Sequence, residues 1–154
     1  MEDLLSNIVY TPVFASKRKR WGASLVDYVL YFAAFIFICY FFGTRTMDEN
    51  GNSSWNLDGL PGFIGIVVSW LLFFPVIESF NDGQTIGKAL FRIKTVKEDG
   101  SRINFGTSFL RHFFDWVDYL PFLGICGMIV ASNNDKKQRV GDLVAKTIVV
   151  NSRS

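Results

Sequence analysis

The chain has 154 residues, 49% of them hydrophobic with sixteen phenylalanines, and a formal net charge of +2. That length suits one domain, and so small a charge argues against a nucleic-acid partner. Charged residues collect in blocks between apolar runs instead of spreading along amphipathic segments, a pattern of membrane proteins and not of ordinary soluble domains.

Residues 1–16 form a short N-terminal segment that opens with Glu2 and Asp3, not the basic stretch of a secretory signal. The apolar run after Arg20 is too long for a signal core and lacks a small-x-small exit, so a retained anchor is expected. This first span, about 21–42, is long enough to cross a bilayer, which takes about 20 apolar residues. It carries one carboxylate, Asp27. Such a group costs roughly 2.5–3.5 kcal/mol within a membrane helix, so it must pair or face a polar interior. The second span, about 60–80, holds Trp70, Pro75 and Glu78. Pro75 removes one helical hydrogen bond and predicts a local kink.

Charge sets the expected orientation. Lys17-Arg18-Lys19-Arg20 is strongly basic, whereas residues 43–59 hold one arginine against Asp48, Glu49 and Asp58. The positive-inside rule predicts a cytoplasmic N-terminus and an outer 43–59 loop. Residues 81–104, with Lys88, Arg92, Lys94, Lys97 and Arg102 against three acids, return to the cytoplasm. The outer loop includes a formal glycosylation sequon, Asn52-Ser53-Ser54, a frequent chance match.

A third apolar region, about 105–132, contains Arg111, His112, Asp115 and Asp118, then Pro121, Gly124 and Gly127. The tail beyond it is again basic, so a simple third span would place that tail on the wrong side. A broken or re-entrant helical region keeps it cytoplasmic. Strand pattern agrees: Phe91 to Thr95 alternates apolar with basic residues, Asp99-Gly100 is a hairpin turn signal, and Arg102-Ile103 follows. The β-branched run Lys146 to Val150 can supply a third strand of a small cytoplasmic β-element. The expected fold is an all-α membrane protein of two transmembrane helices, a broken third helical region and this β-element, spanning residues 17–150.

Arg20 and Asp27 share a helix face but stand about 10 Å apart along the axis, too far to pair. Arg20 is expected to snorkel to lipid phosphate, and Asp27 to turn into the bundle toward the third region. There Arg111, Asp115 and Asp118 form one stripe, in which Arg111 and Asp115 can pair. Three carboxylates against Arg111 and His112 admit a raised carboxyl pKa, a cationic ligand or a wet interfacial face. The bland alternative is a structural polar network. Gly83-Gln-Thr-Ile-Gly-Lys88 is one residue short of a phosphate loop and has Ala89 where Ser or Thr is required, so a turn is the better reading. One histidine and two distant cysteines, Cys39 and Cys126, give no metal cluster, no cofactor motif stands out, and both cysteines lie in apolar runs where no structural disulfide is expected.

Arg20-Trp-Gly-Ala23-Ser-Leu-Val-Asp27 resembles the first-helix signature of the RDD family, small prokaryotic membrane proteins named for an arginine and two aspartates. Gly83 to Lys88, with Arg92 to Val96 and Asp99-Gly100, is similar to the loop after that family's second helix. Gln138-Arg139-Val-Gly141-Asp142 through Val150 looks like its C-terminal motif, with Lys146 where the family usually has glycine. The resemblance implies Arg20, Asp27 and Asp142 as signature positions, and a structural role for Asp142, capping or pairing with Arg139. It also implies a multi-pass protein of the inner membrane. Transport of some ligand has been proposed for the family, monovalent-cation/proton antiport is ascribed to some members, and others are accessory membrane subunits.

Two functions follow as expectations. Transport of protons or monovalent cations past Asp27, Arg111, Asp115 and Asp118, in a homo-oligomer, would use intramembrane carboxylates and broken helices. A membrane scaffold or regulatory subunit would bind a partner protein through exposed strand edges and small-residue helix faces. An enzyme is not expected, since no activated nucleophile or metal site is present.

Overall fold

The computed structural model describes residues 12–56, 59–115 and 125–152. Helix α1, Lys17–Phe42, starts where the Ser16 hydroxyl accepts from the Lys19 N–H at 3.3 Å, an N-cap that satisfies one free donor of the first turn. A hairpin follows, β1 Thr44–Met47 against β2 Ser53–Asn56, closed by a turn in which Asp48 accepts from the Asn50 and Asn52 N–H groups. The loop expected between the two spans thus holds a hairpin.

The second long helix begins as α2, Gly59–Leu71, passes through a π-helical turn at Leu72–Val76, and ends as α3, Ile77–Phe80. Pro75 lies inside the π-turn. Because proline has no N–H to give, the ladder breaks there, and one wide turn absorbs the defect. The π-turn also presents Phe74 to α1, with ring centroids 5.2 Å from Tyr28 and 5.4 Å from Tyr31.

These two helices are long and apolar enough to cross a membrane, and they are clothed in exposed hydrophobic side chains. Phe32, Ile36, Phe37 and Phe63 are each 58–67% exposed. In the most apolar window of α1 only 6% of residues are buried, and in the second helix 17%. The core helix of a soluble protein would bury most of that surface, so these faces need an apolar solvent.

At one end of the helix pair sits a compact cap. It contains α4 Ile86–Leu90, β3 Ile93–Lys97, α5 Phe105–Phe113, α7 Val140–Val144 and β4 Thr147–Asn151, with α6 Ile125–Val130 lying between α5 and α7 in the chain. Strands β3 and β4 pair antiparallel, with Val96 opposite Ile148 and Thr95 opposite Val149. Period-2 alternation splits their side chains into two cores. Ile93 and Val149 pack with Ala15 and Ala23 on the α1 side, while Val96, Ile148 and Val150 pack with Phe14 on the other.

The strand expected at Arg102-Ile103 does not form, whereas the run from Lys146 to Val150 does supply one, as β4. Asp99-Gly100 turns, but the chain then leads into α5, and the outer partner of β4 is the N-terminal segment. Ala15 donates to Val149 and Asn151 to Val13, both at 2.9 Å. The other edge of β3 is covered by Gly83 and Gln84, whose carbonyl and side chain meet Thr95 and Ile93. Both strand edges are occupied, so this sheet offers none for augmentation. Residues 13–15, the loop after the second helix and β4 therefore share one end of the molecule. The middle of the 105–132 region, including Asp118 and Pro121, lies outside the described residues.

Candidate functional site

Three sequence segments converge between the cap and the helices. Asp27, ten residues into α1 and about 15 Å from its start, is 3% exposed. Its Oδ2 accepts from the Thr85 hydroxyl at 2.5 Å and its Oδ1 from the Gly87 N–H at 2.7 Å. Thr85 is the N-cap of α4, so a carboxylate from one helix closes the positive end of another. The approach is close. A Cβ on Gly87 would stand 2.1 Å from the Ala23 carbonyl oxygen and 2.9 Å from the Asp27 carboxylate, which is why glycine is needed.

Arg20 does not reach for lipid. It is 5% exposed and forms an ion pair with Asp142, while also donating to the Lys137 carbonyl. The fold brings a C-terminal carboxylate to the base of α1, and the apolar cap around it makes pairing better than snorkelling. Asp142 Oδ2 also accepts the Arg139 N–H at 3.0 Å, capping α7, and its Oδ1 accepts Arg111 Nη1 at 2.7 Å. Burial alone would raise the Asp142 carboxyl pKa, but Arg20 and Arg111 outweigh it and hold the group well below the usual carboxylate range.

Arg111 was expected to pair with Asp115 in its own helix. Instead it bridges two other segments, reaching Asp142 with one Nη and Glu78 Oε1 with the other at 2.8 Å. Glu78, fully buried at the end of the second helix, is the hub that spacing did not reveal. It takes an ion pair from Lys88, hydrogen bonds from Thr95 at 2.8 Å and Ser108 at 2.5 Å, and contact from His112 Nε2 at 3.1 Å. Lys88 is the lysine of the apparent phosphate loop, turned inward. Burial and the nearby Arg111 push its ammonium pKa down, against the pull of Glu78. Asp115 pairs with His112 Nδ1 at 2.7 Å.

The charge count changes accordingly. Among the described residues, Arg20, Lys88, Arg111 and Arg139 face Asp27, Glu78, Asp115 and Asp142, with His112 between two of the acids. The surplus of carboxylates expected from the apolar segments is offset by cations contributed from the loop and tail. In the middle lies a cavity of about 30 Å³, lined by Asp27, Tyr28, Arg111, His112, Asp115 and Asp142 among others. That is room for a water or two. Arg111 Nε, buried, has no hydrogen-bond partner among the described residues.

A pair of exposed apolar helices closed at one end by a buried, charge-matched network defines a helical membrane protein. The chain belongs to the RDD family, whose profile matches residues 14–146. It is also 30% identical over 133 residues, 84% of its length, to the uncharacterized protein YckC of Bacillus subtilis strain 168, covering 80% of that protein. No solved structure matches the chain.

Proposed function

We propose that this protein moves protons or monovalent cations across the membrane through the buried polar cavity beside Asp27. The observation that carries this reading is convergence. Asp27 on α1 and Arg111, His112 and Asp115 from the third helical region, far apart in sequence, line one water-sized cavity at the end of two lipid-facing helices. Intramembrane carboxylates around a polar void are the usual materials of proton and cation pathways. The basic block 17–20 orients the cap to the cytoplasmic side of the inner membrane, with both termini there. The cavity is too small for a complete path in one subunit, so a homo-oligomer is part of the proposal. Asp27→Asn is the test: its carbonyl still accepts from Gly87, so the fold should survive while flux in proteoliposomes is lost. Flux equal to wild type would remove Asp27 from the path.

A second reading has its own support. The network is charge-matched, and an apolar groove of about 440 Å³ runs between α1 and the π-turn, lined by Tyr31, Phe35, Ile38, Ser69 and Phe73 among others. A membrane subunit that holds a partner's helix in that groove would use the charges only as a clasp. In the β3–β4 sheet both outer edges carry partners, so this reading uses the groove.

A further inference from the structure

We propose that His112 is a proton-binding site, holding one proton between Glu78 and Asp115. Both ring nitrogens face carboxylate oxygens: Nδ1 lies 2.7 Å from Asp115 Oδ2 and Nε2 lies 3.1 Å from Glu78 Oε2. A neutral imidazole has one N–H and one lone pair. Between two carboxylates, the neutral ring would turn that lone pair against an oxygen. The geometry is satisfied only when the triad carries one proton more, as an imidazolium or as a protonated acid.

The surroundings decide where the proton resides. Glu78 already accepts from Lys88, Arg111, Thr95 and Ser108, and two of those donors are cations that disfavour a proton on it. From α1, Asp27 and Tyr28 face the same cavity, and the Phe74 ring lies 5.3 Å from the imidazole. The proton therefore belongs to the ring, and its exit is Asp115, which borders the cavity and is less buried than Glu78. On release the Nδ1–H bond breaks, an O–H bond forms on the Asp115 carboxylate, and the ring becomes neutral. With the proton bound, the network carries five cations against four carboxylates; without it, four against four.

His112 is the chain's one histidine. Incorporating ¹⁵N-histidine into the full-length protein in lipid nanodiscs therefore gives a single-site probe. The expected spectrum is that of an imidazolium at a pH where free imidazole, with a pKa of about 6.5, is neutral. Asp115→Asn should move the midpoint back toward the free value. A wild-type ring that titrates like free imidazole, or a midpoint that Asp115→Asn leaves unmoved, overturns the site. The inference deepens the transport reading and rests on it for one consequence: His112→Gln should abolish proton flux in folded protein. Undiminished flux in that variant overturns the claim that this is the proton moved. An imidazolium in a wild-type protein that shows no flux sustains the site and overturns the transport reading instead.

Discussion

Asp142 and Glu78 are where single substitutions should cost most. Asp142→Asn leaves Arg20 and Arg111 facing a neutral amide in a buried site. Breaking a buried ion pair from one side costs about 3–5 kcal/mol, and thermal unfolding in detergent should register a loss of that order. Asp82→Asn is the control. Its pairs with Lys94 and Arg102 are partly exposed, and exposed pairs are worth about 0–1 kcal/mol. The same carboxylate sets an acid limit. Asp142 has a folded pKa depressed below its ordinary 3.8. Its contribution is thus full above that value and is lost as pH falls through the lower folded one. Unfolding midpoints should drop below about pH 4 in wild type and drop less in Asp142→Asn.

Lys146 is a residue whose substitution should help. It occupies the left-handed region, at φ 51°. The turn forms despite the side chain, at a cost of roughly 1–2 kcal/mol that glycine avoids, less about 0.5–1 kcal/mol for glycine's greater unfolded-state entropy. Lys146→Gly should therefore raise the unfolding free energy by up to about 1.5 kcal/mol.

Among the elements, α1 and α4 approach closely at Gly87. Gly87→Ala would force a methyl into the Ala23 carbonyl and the Asp27 carboxylate, and overpacking of this kind costs about 1–3 kcal/mol. A lowered melting temperature checks it, and an unchanged one would mean the helices separate freely. This contact also marks what sequence could reveal. The two spans were legible because apolar length is a local property, and the three motifs were legible as fragments. Their partners were not. Arg20 to Asp142 and Arg111 to Glu78 join residues 122 and 33 positions apart, and no periodicity encodes such pairs. Glu78 stands two residues from the end of its helix, where a carboxylate needs no buried partner, and Lys88 counts in the sequence as loop charge. The β1–β2 hairpin does carry a local signal, Asn50-Gly51 at its turn.

At the scale of the molecule, residues 13–15 are bonded to β4, and β4 to β3, so one cap gathers described residues from three distant parts of the sequence. The long helices project from it with their apolar faces uncovered. The cap is thus a charge-locked stopper on a two-helix hairpin, and the water-sized cavity beneath it is where a pathway would begin. Cation-driven proton flux by the purified wild-type protein, sealed in vesicles with a trapped pH dye, tests that most directly. A sodium or potassium gradient should change internal pH well beyond the rate of empty vesicles. A folded protein that gives only the empty-vesicle rate contradicts it and leaves the network as a clasp for a membrane subunit.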